Sequence, residues 1–137
     1  MKTSIEFHDS DLSAYNIHDN VLVIELRSAY IHKWEMTKGK WIGTGCVQDA
    51  KITIDNACVP KKMPAVPVEI SDGMITIGNT IYDNLVPVPF HMNGPSLLKL
   101  QLVNGDTFEV SGDALSIELH SESKFVEKLP EEWSPQA

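Results

Sequence analysis

The sequence predicts an all-β, mainly antiparallel fold: a β-barrel or two-sheet sandwich of about eight to ten strands, built from hairpins and meanders with little helix. Three observations carry this. Apolar residues alternate with polar ones at period two through most of the chain, most clearly from Ser96 to Leu119. Residues that accept turn geometry recur about every 8 to 12 positions, as they do in sandwiches and barrels. No segment of about 11 or more residues carries helical spacing.

In chain order, Ile5 and Phe7 precede the cluster His8-Asp9-Ser10-Asp11, and Leu12 to Ile17 reads as a short strand. Asp19-Asn20 is a turn. Val21 to Arg27 presents Leu22, Ile24 and Leu26 on one side and Val21, Val23 and Glu25 on the other, which fits a strand near the sheet centre. Tyr30, His32, Trp34 and Met36 share one parity, Thr37-Lys38-Gly39-Lys40 turns, and Trp41 returns. This predicts a second hairpin with Trp34 and Trp41 paired across it, or else a loop carrying aromatics. Gly43-Thr44-Gly45 loosens the backbone, after which Ala50, Ile52 and Ile54 alternate with charged and polar residues as another amphipathic strand.

Asn56 to Pro67 contains Pro60, Pro64 and Pro67, which remove ladder donors, so an extended surface connection is expected there. Val68 to Ile70, Met74 to Ile77 and Thr80 to Tyr82 read as short strands joined by turns at Ser71-Asp72-Gly73 and Gly78-Asn79. Met92-Asn93-Gly94-Pro95 is a further turn. It leads into a three-stranded meander in which Leu98, Leu100 and Leu102 turn at Asn104-Gly105-Asp106 into Phe108 and Val110. Gly112-Asp113 then turns the chain into Leu115, Ile117 and Leu119. A slip of one residue would expose this whole apolar set, so its register is firmly specified. Phe125 and Val126 offer one more short strand or a helical turn, Pro130 stops regular structure, and Trp133 pins the end. The expected organisation is one domain over 1–137 with 125–137 as a partly irregular tail.

The composition, 42% hydrophobic and 22% charged, is that of an ordinary globular protein. Its apolar runs, such as Val21 to Ile24, fall far below the roughly 20 residues of a spanning helix. The opening MKTSIEFHDS lacks the apolar centre of a secretory signal, so a cytoplasmic location is expected, with Cys46 and Cys58 left as thiols. The net charge of −8 is unevenly placed: residues 1–62 hold eight Lys/Arg and eight Asp/Glu, residues 63–137 three and eleven. An acidic surface repels phosphates and anionic lipid, so neither a nucleic acid nor a membrane is an expected partner. A basic protein is.

No pattern ties residues to a reaction. His8-Asp9 and His18-Asp19 repeat a dipeptide, but adjacent strand residues face opposite ways, and turn chemistry explains both without a metal. There is no serine elbow and no phosphate loop, and Gly43-Thr44-Gly45 lacks the third glycine and helix of a dinucleotide site. No catalytic residue, metal or cofactor is therefore expected. Paired carboxylates among the 19 acids stay open. The candidate contact surface is Tyr30, Lys33, Trp34, Lys38, Lys40 and Trp41, since aromatic faces stack on rings or cations and lysines attract anions. Glu109, Glu118 and Glu122 represent the acidic half toward a basic partner. A competing account has the two tryptophans plugging a sheet edge while the lysines guard it.

Phe7-His8-Asp9-Ser10, followed by a strand, a turn and the strand Val21 to Leu26, resembles the opening of several small β-rich bacterial proteins without assigned activity. Some of these are immunity proteins of toxin systems. The resemblance implies a stand-alone acidic domain that binds or neutralises a protein partner, and no catalytic residue carries over from it. The function expected is thus a non-enzymatic interaction domain. The competing expectations are a small-ligand-binding β-barrel and an enzyme with a carboxylate/His site.

Overall fold

In the computed structural model, which describes residues 1–135, the alternating segments become nine strands and one short 3-10 turn. The strands are β1 (Lys2–Glu6), β2 (Asp11–His18), β3 (Val21–Thr37), β4 (Lys40–Asp55), β5 (Val68–Ile77), β6 (Thr80–Asp83), β7 (Leu85–Pro87), β8 (Phe90–Leu102) and β9 (Thr107–Lys128); Glu131–Trp133 is the 3-10 turn. They form one antiparallel sheet in the order β2-β5-β8-β9-β4-β3-β1-β7, with β6 on the free side of β5. Because β2 also pairs β3, the first six of these close into a ring. The seam is narrow. It rests on Asp11 opposite Glu69 and Leu12 opposite Val68, extended by Asp9 N donating to Ile70 O (2.9 Å) and Ile70 N to Ser10 O (2.8 Å).

The apolar parity of each ring strand supplies the core: Leu22, Ile24, Ile52, Ile54, Ile75, Leu98, Leu100 and Ile117 have no accessible surface. Two hairpins turn through paired positive φ angles, Asp19 (51°) with Asn20 (65°) and Lys38 (51°) with Gly39 (77°), the geometry whose twist matches the flanking strands. Outside the ring, the second half of β3 pairs β1 and the first half of β4 pairs the end of β9. With β7 on the far side of β1, these segments make a five-stranded wing.

Several expected turns are bends inside longer strands. Ser71-Asp72-Gly73 lies within β5, where the register slips between Ile70 and Asp72. Asn93-Gly94-Pro95 lies within β8, with a slip between Asn93 and Ser96 and Gly94 at φ 120°. Gly112-Asp113 lies within the 22-residue β9. The expected meander is therefore one hairpin, β8–β9, with Leu98 opposite Val110 and Leu100 opposite Phe108, whose second arm runs on and pairs β4 as well. In the same way β3 joins the two segments on either side of Ser28, which takes φ 56° at a slip between Leu26 and Ala29. A bulge inserts an unpaired residue and bends the strand without ending it, and strands that serve first a ring and then a wing need such bends.

The tail differs too: Phe125 is opposite Cys46 and strand continues to Lys128, so irregular structure begins later than expected. Asn56 to Pro67 is the irregular connection expected, held by a bridge between Cys58 and Ser111 and by the Tyr15 hydroxyl donating to Pro64 O (2.9 Å). Cys46 is buried, Cys58 is exposed, and both are free thiols. Among the described residues no helix is long and apolar enough to cross a membrane.

Candidate functional site

The wing has a front face set by strand parity. Tyr30, His32 and Trp34 of β3 lie opposite Glu6, Ser4 and Lys2 of β1, and on the other side His32 and Trp34 lie opposite Gly45 and Gly43 of β4. Gly45 in turn is opposite Glu127 of β9. The glycines do not loosen this strand. A Cβ on Gly43 would come within 2.5 Å of the Trp34 ring, and one on Gly45 would overlap the Tyr30 hydroxyl, so both rings lie flat across β4 because no side chain rises there. The Tyr30 hydroxyl reaches over the strand and donates to Glu127 Oε1 at 2.7 Å.

Between β1, β3 and the 3-10 turn this face sinks into a cleft of about 410 Å³. Ser4, His32 and Trp34 form its floor, Lys2 and Glu6 its two ends, and Leu85, Trp133 and Pro135 its walls. His32 is only 8% exposed, and its Nε2 lies 3.1 Å from Glu6 Oε1, which satisfies a polar ring in a largely apolar setting. Tyr30 meets the His32 ring edge-on at 5.2 Å between centroids, and the Trp133 ring lies 6.3 Å from it on the open side. Lys2 Nζ is 5.5 Å from the centroid of Trp41, a cation over an aromatic face. Among the described residues no three His, Cys, Asp or Glu side chains converge as a metal site. What the arrangement can do is stack, pair charge and exclude water from one side of a guest.

Burial, and then the bond to Glu127, push the Tyr30 hydroxyl up to about 12, so it remains a donor throughout the ordinary pH range. The unfolded chain loses this proton near pH 10, so the contribution to stability is whole below about 10 and disappears as pH climbs toward 12. Ultraviolet titration of the three tyrosines is expected to show one late component that Tyr30→Phe removes. Gly45→Ala is expected to move that component back toward 10 and to cost about 1 to 3 kcal/mol by overpacking, read by urea denaturation.

Of the residues singled out in the sequence, Tyr30, Trp34 and Trp41 share the front face, but the two tryptophans are not paired: Trp34 is opposite Gly43, and Met36 is opposite Trp41. Trp34 is 5% exposed, held under the cleft rather than presented at an edge. Lys33 points to the back face, where its Nζ donates to Ser123 Oγ at 3.0 Å, and Lys38 and Lys40 sit at the exposed tip of the β3–β4 hairpin. The acids are spread along β9. Glu109 is opposite Lys99, and Glu118 is opposite Lys51, which faces Glu25 on its other side. Glu122 lines a separate polar hollow with Asp49 and Lys124.

Glu6, His32, Glu127 and Trp133 were not marked as site residues by the sequence; the local signal was the shared parity of His32 with Tyr30 and Trp34, and Lys2, Ser4 and Glu6 carry a matching polar parity on the first strand. The repeated dipeptides belong to turns. His18 and Asp19 are both exposed at the β2–β3 hairpin, and His8 Nδ1 donates to Ser71 O at 2.6 Å, which raises its pKa above the usual imidazole value. Comparison with known proteins finds no matching family model, no matching curated protein and no matching solved structure.

Proposed function

We propose that this protein is a non-enzymatic binding domain that takes a basic protein partner on the front face of the wing. The ring is read as a filled barrel that serves as scaffold, and the wing as the surface it displays. The observation that carries this reading is the cleft itself: aromatic rings flank a floor whose polar group is already paired, and an acid stands at one end. Such a surface offers burial and charge to a guest. An immunity-type role, in which the guest is a basic toxin, is the most specific form of it.

The excess of acids adds long-range attraction, which is screened over about 10 Å at 0.1 M salt. Capture of a basic protein from a bacterial extract is expected at about 0.05 M salt and to weaken several-fold at about 0.5 M. Trp133→Ala, at a ring that is 56% exposed, is expected to weaken it at both. Capture that ignores both salt and Trp133 would remove this reading. A small-molecule ligand is the second reading, supported by a volume of about 410 Å³, within the range of small-ligand sites.

A further inference from the structure

We infer that the cleft between β1, β3 and the 3-10 turn is an arginine site, a conclusion that rests on the basic-partner reading and names the group that partner inserts. At the Glu6 end a guanidinium meets what it needs. Glu6 spends Oε1 on His32, lines the cleft and is 28% exposed at its side chain, so its carboxylate is anchored and still accessible to a guest. Trp133 stands over the same His32 ring with more than half its surface exposed, giving a planar cation a face to stack on. Leu85 lines the approach and suits the aliphatic stem. Glu131 and Glu132 immediately precede Trp133 on the 3-10 turn, outside the cleft lining, and add negative charge to this end of the wing.

Lys2 does not oppose this. It is four residues from Glu6 on one strand, about 13 Å away, beyond the screening length of about 8 Å at physiological salt, and its ammonium lies over Trp41. Arginine fits better than lysine because its fork is flat, weakly hydrated and able to stack and pair at once, whereas a lysine ammonium must shed tightly held water to enter between rings.

The test uses the full chain and three short capped peptides, Gly-X-Gly with X arginine, lysine or the neutral isostere citrulline. Binding is followed through the indole N–H resonances of the three tryptophans, assigned by single Trp→Phe variants. The arginine peptide is expected to shift Trp133 and Trp34 saturably, the lysine peptide to bind several-fold more weakly, and the citrulline peptide to give no saturable shift. Glu6→Gln is expected to weaken the arginine peptide about tenfold, the scale of a charged hydrogen bond, and Glu25→Gln, on the ring, to leave it unchanged. Should Glu6→Gln disturb the fold, Trp133→Ala, in an exposed ring outside the core, is expected to abolish the shift at Trp34 on its own.

Equal binding of citrulline and arginine would replace the arginine site with an apolar groove, and equal binding of lysine would reduce it to a point charge; either overturns the inference. A salt-dependent basic partner that still binds while the arginine peptide moves neither tryptophan removes the arginine site and leaves the basic-partner reading standing. Loss of both removes both.

Discussion

Phe7→Ala is expected to destabilise the protein by about 3 to 5 kcal/mol, the scale for deleting a buried aromatic ring. Phe7 has no accessible surface, and its ring lies so close over β5 that a Cβ on Gly73 would fall 2.6 Å from it. The residue also anchors the corner between β1 and β2: its amide donates to Asn84 O at 3.0 Å, and its carbonyl accepts from both the amide and the hydroxyl of Ser10. Ser10 O in turn receives Ile70 N across the β2–β5 seam. Removing the ring opens a cavity beside the narrowest junction of the ring of strands, where few ladder bonds resist opening. Urea denaturation measures the loss, and hydrogen exchange should quicken first at the amides of Asp9 and Ile70. A cost below about 1 kcal/mol would place the corner outside the cooperative core.

Leu100→Ala is expected to cost about 2 to 5 kcal/mol for a different reason. Leu100 has no accessible surface and sits inside an unbroken run of ring pairings, opposite Phe108 on one side and Gly73 on the other. Strands held on both edges collapse little around a void, so the cavity persists and the cost falls toward the upper part of that range. The backbone ladder is untouched. Exchange should therefore rise across β5, β8 and β9 together rather than at one corner. An effect within about 0.5 kcal/mol would mean that Leu100 does not occupy the core.

Much of the strand content was legible because alternation is a local property. Leu98, Leu100 and Leu102, or Leu22, Ile24 and Leu26, can bury a common face only as strands, whatever their partners, and all six are buried. Turns such as Asp19-Asn20 and Lys38-Gly39 were equally legible, since both central residues must take positive φ and the flanking segments are immediate neighbours. The ends of strands were not. Ser71-Asp72-Gly73, Asn93-Gly94-Pro95 and Gly112-Asp113 have the composition of turns, yet each is carried through a continuing strand. Whether such residues turn the chain or only bend it depends on whether another strand waits on the far side, and that strand is remote in sequence: Ile54 lies where a Cβ on Gly112 would go.

The candidate site was legible only in fragments. Tyr30, Trp34 and Trp41 stood out as aromatics of one parity, but their surroundings come from β1, β9 and the 3-10 turn. Tyr30 and Glu127 are 97 residues apart, and Glu6 and His32 are 26 apart. The meaning of Gly43 and Gly45 changed most. Read along the chain, two glycines weaken a strand; read across it, they are the floor on which two rings lie. The sequence by itself determined that this chain is a set of amphipathic strands with one buried face each, because burial acts residue by residue along a pleat. Only the tertiary structure decided that the strands close into a ring, that the bends lie inside them, and that Glu6, His32 and Trp133 meet at one cleft, because those outcomes depend on which distant strands pair and in what register.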